Sequence, residues 1–461
     1  MGEVIMSDVH ALANERQQIF FNLLKGKIPT RVPISNVLAL DAAIEFAGFD
    51  VAEVYWDMTK AEAVLDKVAS TFFSDMSPGG TRRYPSFYQI LGSKPFVMSS
   101  SGHMQHPNVE GMLVDDYDDL IAAPYDTIID KILPRLYTEL DTDSSHKAMT
   151  LAKAMRAQGD EMMTLGMLAG KMRAKFGFAS VPGGATTAPY DFMADFFRGF
   201  TGISSDIRRY PEKVIEACEA LTPILIKKGA PAFPTNYGIT MIPLHMAPYM
   251  RTKDFEKFYW PSLKKQVEGL TEMGVNVQLF VEHDFMRYLD HLYELPENTI
   301  LRFEYGDPKL VKEKLGKKHI ISGFYPLMLL HTGTKEQCID KAKELLDILA
   351  PGGRYWFDFD KNALDMHGNI TENLQAVLQY VYENGRYDNP DSPVAQAEFG
   401  PIRAGKVLRE IDATIHSKYF TTWDQYKANH PELAGRPEHV IAPKIQKYED
   451  ALFNFIINLC S

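Results

Sequence analysis

The residues of this chain best equipped for chemistry stand at or just beyond the ends of short apolar runs. VNVQLFV (275–281) leads into Glu282, His283 and Asp284, and TILRF (299–303) leads into Glu304 and Asp307. HIISGFY (319–325) carries Ser322 and Tyr325, and RYWFDFD (354–360) carries Asp358 and Asp360. Upstream lie Asn236, Tyr237 and His245. Imidazole and carboxylate together hold a divalent ion such as zinc, with Glu282, His245, Glu304 and Asp360 as the candidate ligands. The same groups also make a metal-free acid/base set. Plainer roles compete at each position. A strand-end Asp358 or Asp360 caps the following helix, and His245, between Leu244 and Met246, packs in the core. Glu282 leans to function, because alternation puts it on one face with Phe280, where a lone buried carboxylate is costly. Phe280, Tyr325 and Trp356 suit a flat apolar pocket.

Convergence of strand-end residues is what a barrel provides, and the chain is patterned for one. Apolar, β-rich runs alternate with amphipathic helical stretches about 20–35 residues apart, the sign of parallel strands joined by crossover helices. RVPIS (31–35) reads as the first strand and FGFASVPGG (176–184) as a strand running into a turn. KEQCIDKAKELLDILAP (335–351) reads as a helix ending before Gly352 and Gly353. The expected architecture is a (β/α)8 barrel over residues 31–385, preceded by a helical segment (1–30) and followed by helices (386–461). In such a barrel the chemistry sits where strands end. An open doubly wound sheet is the alternative, but no dinucleotide fingerprint is present. GGATTAP (183–189) fits neither that pattern nor a P-loop.

The chain has 461 residues, 45% hydrophobic and 24% charged, and a formal net charge of −11. That acidity disfavours nucleic acid or an anionic membrane as partner. No apolar run is long enough to span a bilayer, and the first residues lack a signal-peptide pattern. Three widely spaced cysteines, Cys218, Cys338 and Cys460, fit a reducing compartment. A cytoplasmic enzyme is expected, with a homodimer the default assembly.

Several segments in order add a resemblance: RVPIS, DFFRGFTGISSDIRRYPEKV (195–214), DFEKFYWPSLKKQVEGLTEMGVNVQLF (254–280), KLGKKHIISGFYPLMLLHTGTKEQC (314–338) and GGRYWFDFD (352–360). Together they resemble the uroporphyrinogen decarboxylase family over roughly residues 16–385. The resemblance implies a (β/α)8 barrel. It also implies either a decarboxylase or a methyltransferase that serves a corrinoid (cobalamin) protein. The decarboxylases' N-terminal arginine-rich signature is missing. The thiol-methylating members' His-x-Cys place is taken by Phe280-Val281-Glu282, and their last cysteine falls near Asp360.

A Glu/His/Asp set makes a harder site than thiolates, suited to polarising oxygen. The resemblance thus points to demethylation of methoxylated aromatics, with the methyl passing to cob(I)alamin on a separate corrinoid protein. Glu282, His283 and Tyr325 become the candidate catalytic groups and Asn236, Tyr237, Phe280 and Trp356 the candidate substrate contacts. Zinc, if bound, would use Glu282, His245, Glu304 and Asp360. The rival readings are a decarboxylase or lyase, methyl transfer from an N- or S-methyl donor, and a catalytically silent corrinoid-binding subunit.

Overall fold

A computed structural model describes residues 2–35, 37–78, 83–181, 183–394 and 399–460. Six parallel strands lie side by side in chain order: β1 (Gly183–Ala185), β2 (Ile239–Leu244), β3 (Asn276–Val281), β4 (Ile300–Phe303), β5 (Ile320–Tyr325) and β6 (Tyr355–Phe359). Two irregular staves close the ring. The amide of Phe357 donates to Pro33 O and that of Ser35 to Phe357 O; Asp75 N donates to Ile34 O, and Ala179 N to Asp75 O. Residues around 34, 75 and 179 thus bridge β6 to β1, and the chain is a (β/α)8 barrel with two staves reduced to single bridges. Proline at 29 and 33 explains the weak first stave, since proline donates no ladder hydrogen bond. Pro182, in the FGFASVPGG run, lies outside the described residues.

Alternation sorts side chains between lumen and helix layer. On β3, Val277, Leu279 and Val281 are buried against helices, whereas Gln278 and Phe280 are half-buried on the inner face. The guanidinium of Arg302, on β4, stands 4.8 Å from the Phe280 ring centroid. The lower end of the lumen is plugged by the first helix, Gly2–Leu24. Its Phe20, Leu23 and Leu24 cluster with Ala179, Ile239, Ile300, Ile320 and Trp356, the first inward residues of the strands.

Crossover helices are set by local signals. Lys335–Leu349 begins at Thr334, whose hydroxyl accepts from Gln337 N while the Gln337 side chain accepts from Thr334 N. Cys338, Ala342, Leu345, Leu346 and Leu349 form its buried stripe. The C-terminal helices Ala404–Asp412 and Glu438–Asn458 are fastened to the barrel helix Pro211–Gly229 through Lys227, which reaches Asp412 at 2.7 Å and Asp450 at 2.6 Å. All three cysteines are free and buried. No helix among the described residues is long and apolar enough to cross a membrane.

Candidate active site

The helix that follows β1's loop starts at Pro189 and passes into a π-helical turn, Met193–Phe197. Its sequence, PYDFMADFF, puts Asp191 and Asp195 four residues apart, hence on one face, pointing at the end of β2. Asp191 is fully buried. It accepts from His245 N at 2.9 Å, Met246 N at 3.0 Å and the Tyr259 hydroxyl at 2.6 Å. Burial lifts its carboxyl to about 7, against the pull of the His245 charge. Its role is to hold the backbone on which His245 rides.

His245 then lies between two carboxylates. Nδ1 is 2.6 Å from Asp195 Oδ2, and Nε2 is 3.4 Å from Glu282 Oε1. Burial alone would lower its pKa. The hydrogen bonds to Asp195 and Glu282, with the charges of Asp195 and Asp191, outweigh burial and raise it to about 11. His245 is therefore an imidazolium at neutral pH. About a third of its side chain, and of Glu282's, remains accessible, while Asp195 is covered.

These groups line a pocket of about 540 Å³ at the C-terminal mouth of the barrel. Its other walls are Phe196, Phe200 and Tyr249, with Arg83, His106 and Asn108. His106 stacks on Phe96 (centroids 4.7 Å apart, rings 13° from parallel), and Arg83 sits 3.7 Å from the same ring's centroid. Burial, together with the Arg83 charge, depresses the pKa of His106 and keeps that imidazole neutral. The mouth thus presents one imidazolium, two carboxylates, a guanidinium and a neutral imidazole between aromatic walls.

The structure brings His245 and Glu282 together and sends several sequence candidates elsewhere. His283, with φ +56°, is exposed on the rim beside Tyr249, and its amide donates to Glu304 Oε2 at 2.9 Å. Glu304 is committed to that turn and to Lys361, 2.9 Å from its other oxygen. Burial works to raise its pKa, but these two donors win and lower it. Asp360 accepts from Leu327 N at 3.0 Å and Lys361 N at 2.7 Å, and so anchors the helix after β5. Asp358 is bound to Arg302 at 3.2 Å below the mouth. Neither Glu304 nor Asp360 joins His245.

Tyr325 is corrected outright. It faces the helix layer, its hydroxyl donating to Cys338 O at 3.0 Å and its ring lying against Phe357 and Phe359. Asn236, Tyr237 and Trp356 are corrected as substrate contacts, because they lie at strand beginnings. Tyr237 meets Phe21, and Trp356 meets Phe20 in the lower plug, at the opposite end from the pocket. Asn236 O accepts from Asn276 Nδ2 at 2.8 Å beside the start of β3. Phe280 lies one turn of the strand below Glu282, under Arg302.

The four sequence candidates for a zinc site do not fit one. Of the four only His245 and Glu282 stand together, while Glu304 and Asp360 are tied to amides and Lys361. Among the described residues no group of three or more His, Cys, Asp and Glu side chains is arranged to hold a metal ion. Sequence reasoning missed Asp191, Asp195, His106 and Arg83. The D-x-x-x-D spacing was the available signal for the first two; nothing local marks the others.

A mouth pocket on a closed barrel, built from the ends of β2 and β3 and the helix after β1, defines the class. The model of the uroporphyrinogen decarboxylase family matches residues 130–361, just over half of the chain and inclusive of Asp191, Asp195, His245 and Glu282, and the chain belongs to that family. Among solved structures, a methyltransferase from Methanosarcina mazei is similar in fold, with a TM-score of 0.53 at 15% identity over 80% of this chain and 98% of that chain. No curated protein matches the sequence.

Proposed function

We propose that this barrel is a methyltransferase that takes the methyl group of a methoxylated aromatic and delivers it to a corrinoid carried on a separate protein. The observation that carries the reading is the imidazolium of His245, fixed between Asp195 and Glu282 in an aromatic-walled pocket. Cob(I)alamin on the partner would supply the nucleophile that accepts the methyl. When the methyl–oxygen bond breaks, its electron pair stays on oxygen, and the phenolate needs a proton. His245 supplies it from Nε2, Asp195 holds the ring in place through Nδ1, and Glu282 balances the positive charge. The acidities match: a phenol ionises near 10, about one unit from His245. Transfer is then within roughly 1.4 kcal/mol of balance. Phe196, Phe200 and Tyr249 would clamp the ring face to face or edge to face.

A bulky partner must reach this pocket from outside, and the rim suits one. Phe200, Tyr249, Tyr305, Met328 and Leu364 are all exposed, each in a segment that follows the C-terminal end of a stave. Apolar side chains gathered on one rim mark an association surface. The scheme routes no step through zinc, whose four sequence candidates are not gathered at one point among the described residues.

The test is anaerobic. The purified chain is mixed with cob(I)alamin and a panel of methoxylated aromatics, and the visible spectrum is followed to methylcobalamin. His245→Gln should lose a factor of about 10²–10⁴ in rate, the worth of a positioned proton donor. No methylcobalamin with any donor, even with a corrinoid protein supplied, would sink the reading. An N- or S-methyl donor that worked instead would keep the transferase and replace the donor class.

A further inference from the structure

The corner that follows Glu282 is strained. His283 stands at φ +56°, in the left-handed region, which a residue with a Cβ enters only at a cost in energy. That corner ends β3. Phe285, two residues on, is buried in the core, and Asp284 turns back to accept from Met286 N at 2.9 Å. Glu282, the residue before the corner, is left at the top of the lumen with Oε1 3.4 Å from His245 Nε2.

A left-handed residue persists only where its surroundings over-determine it, and here they can be named. In the parallel ladder Glu304 N donates to Val281 O at 3.1 Å, so the next bond would run from His283 N to the Glu304 carbonyl. The Glu304 side chain takes that amide instead, with Oε2 accepting at 2.9 Å. Its other oxygen accepts at 2.9 Å from Lys361 Nζ, on the segment beyond β6. A carboxylate is a stronger acceptor than a peptide carbonyl, which suits an amide held out of the ladder. A second tie joins the same two loops. Asp307 N donates to the Met286 sulfur at 3.4 Å, beside Gly306, where a Cβ would stand 2.3 Å from Met286 Cε.

We propose that Glu304 is a positioning residue: backed by Lys361, it holds the corner at His283 and so keeps the Glu282 carboxylate aimed at His245. Glu304 acts through Glu282 and touches no substrate itself. Were the corner to relax to extended backbone, His283 N would return to the Glu304 carbonyl. β3 would then run on past Glu282 and turn its carboxylate from the imidazole.

The test is a double-substitution cycle in the full-length chain. Glu304→Ala removes the hold, and His283→Gly removes the need for it, since glycine adopts positive φ freely. The first readout is the nitrogen resonances of the labelled His245 ring in the free protein. Glu282→Gln marks where they fall when the carboxylate is lost. Glu304→Ala should move them toward that position, Lys361→Met should move them less, and His283→Gly added to Glu304→Ala should return them. The second readout, methyl transfer, rests on the proposed function, whereas the first does not, so failure of that function leaves the resonances to decide. Glu304→Ala should lose about tenfold in kcat, the scale of one left-handed residue's strain. KM should change little, because Phe196 and Phe200 are untouched. A folded Glu304→Ala protein with wild-type His245 resonances overturns the proposal, and so does a shift that His283→Gly fails to restore. Should Glu304→Ala not fold, Glu304→Gln decides, since its amide oxygen still accepts from His283 N but carries no charge for Lys361. It should reproduce the Lys361→Met shift, and unmoved resonances there overturn the proposal.

Discussion

Replacing Asp195 with asparagine keeps the side chain's shape and removes its charge from the 2.6 Å contact with His245 Nδ1. A hydrogen bond to a charged group contributes about 1.5–3 kcal/mol, and one pKa unit corresponds to about 1.4 kcal/mol. Loss of this partner should therefore lower His245 by about one to two units, because Glu282 and Asp191 still favour the imidazolium. The sign of the stability effect follows from linkage. His245's pKa is raised on folding from 6.5 to about 11. Its contribution is complete below the unfolded value and is lost as pH rises through the folded one. The deficit of Asp195→Asn should thus be greatest below about pH 6.5 and shrink in the alkaline range. A third of the imidazole touches solvent, so the deficit should lie near the lower end, about 1.5 kcal/mol. Urea denaturation over a pH series measures it, and NMR titration of labelled His245 reads the pKa directly. A wild-type His245 titrating near 6.5, or a titration unmoved by the substitution, would refute the reasoning.

Three further outcomes are expected. Asp191→Asn can no longer accept from all three of its donors and should cost about 1–3 kcal/mol. Because Asp191 is raised to about 7 on folding, wild-type stability should also fall between roughly pH 4 and 7, and the asparagine variant should flatten that slope. His319 is fully buried and depressed to about 3, chiefly by burial and then by Lys318. The unfolded chain binds the proton more readily, so stability is complete above 6.5 and falls as pH drops. His319→Leu should therefore gain on wild type by about 2 kcal/mol at pH 5 relative to pH 7.5 in paired denaturation curves. Lys227→Met leaves Asp412 and Asp450 without their shared cation and should cost about 3 kcal/mol, seen as faster proteolysis of the C-terminal helices.

The parallel barrel was legible because its strands are buried on both sides. VNVQLFV, HIISGFY and RYWFDF are near-continuous apolar runs, and each forms a strand within a residue of its expected bounds. Glu282 was legible for the same reason: a carboxylate directly after such a run has only the mouth to occupy. Tyr325 fell on the wrong side because the inward and outward sets were not fixed at the end of that strand. Gly323 and Phe324 there take positive φ, +85° and +68°. Asn236, Tyr237 and Trp356 failed for a simpler reason. They stand where strands begin, and a residue at a strand's start is separated from the mouth by the whole lumen.

The sequence by itself determined the alternation of strands and helices, the acidic surface and the carboxylate that ends β3. Those properties depend on period and composition, which are local. Only the tertiary structure decided that His245 belongs to Asp195 and Glu282, fifty residues before it and thirty-seven after. Glu304, Asp360 and Asp358 look equivalent to Glu282 in the chain, yet the fold gives each a cation or an amide to hold. An ionisable group's role is set by its neighbours' charge and by its access to water. Both are properties of the closed ring, not of any segment.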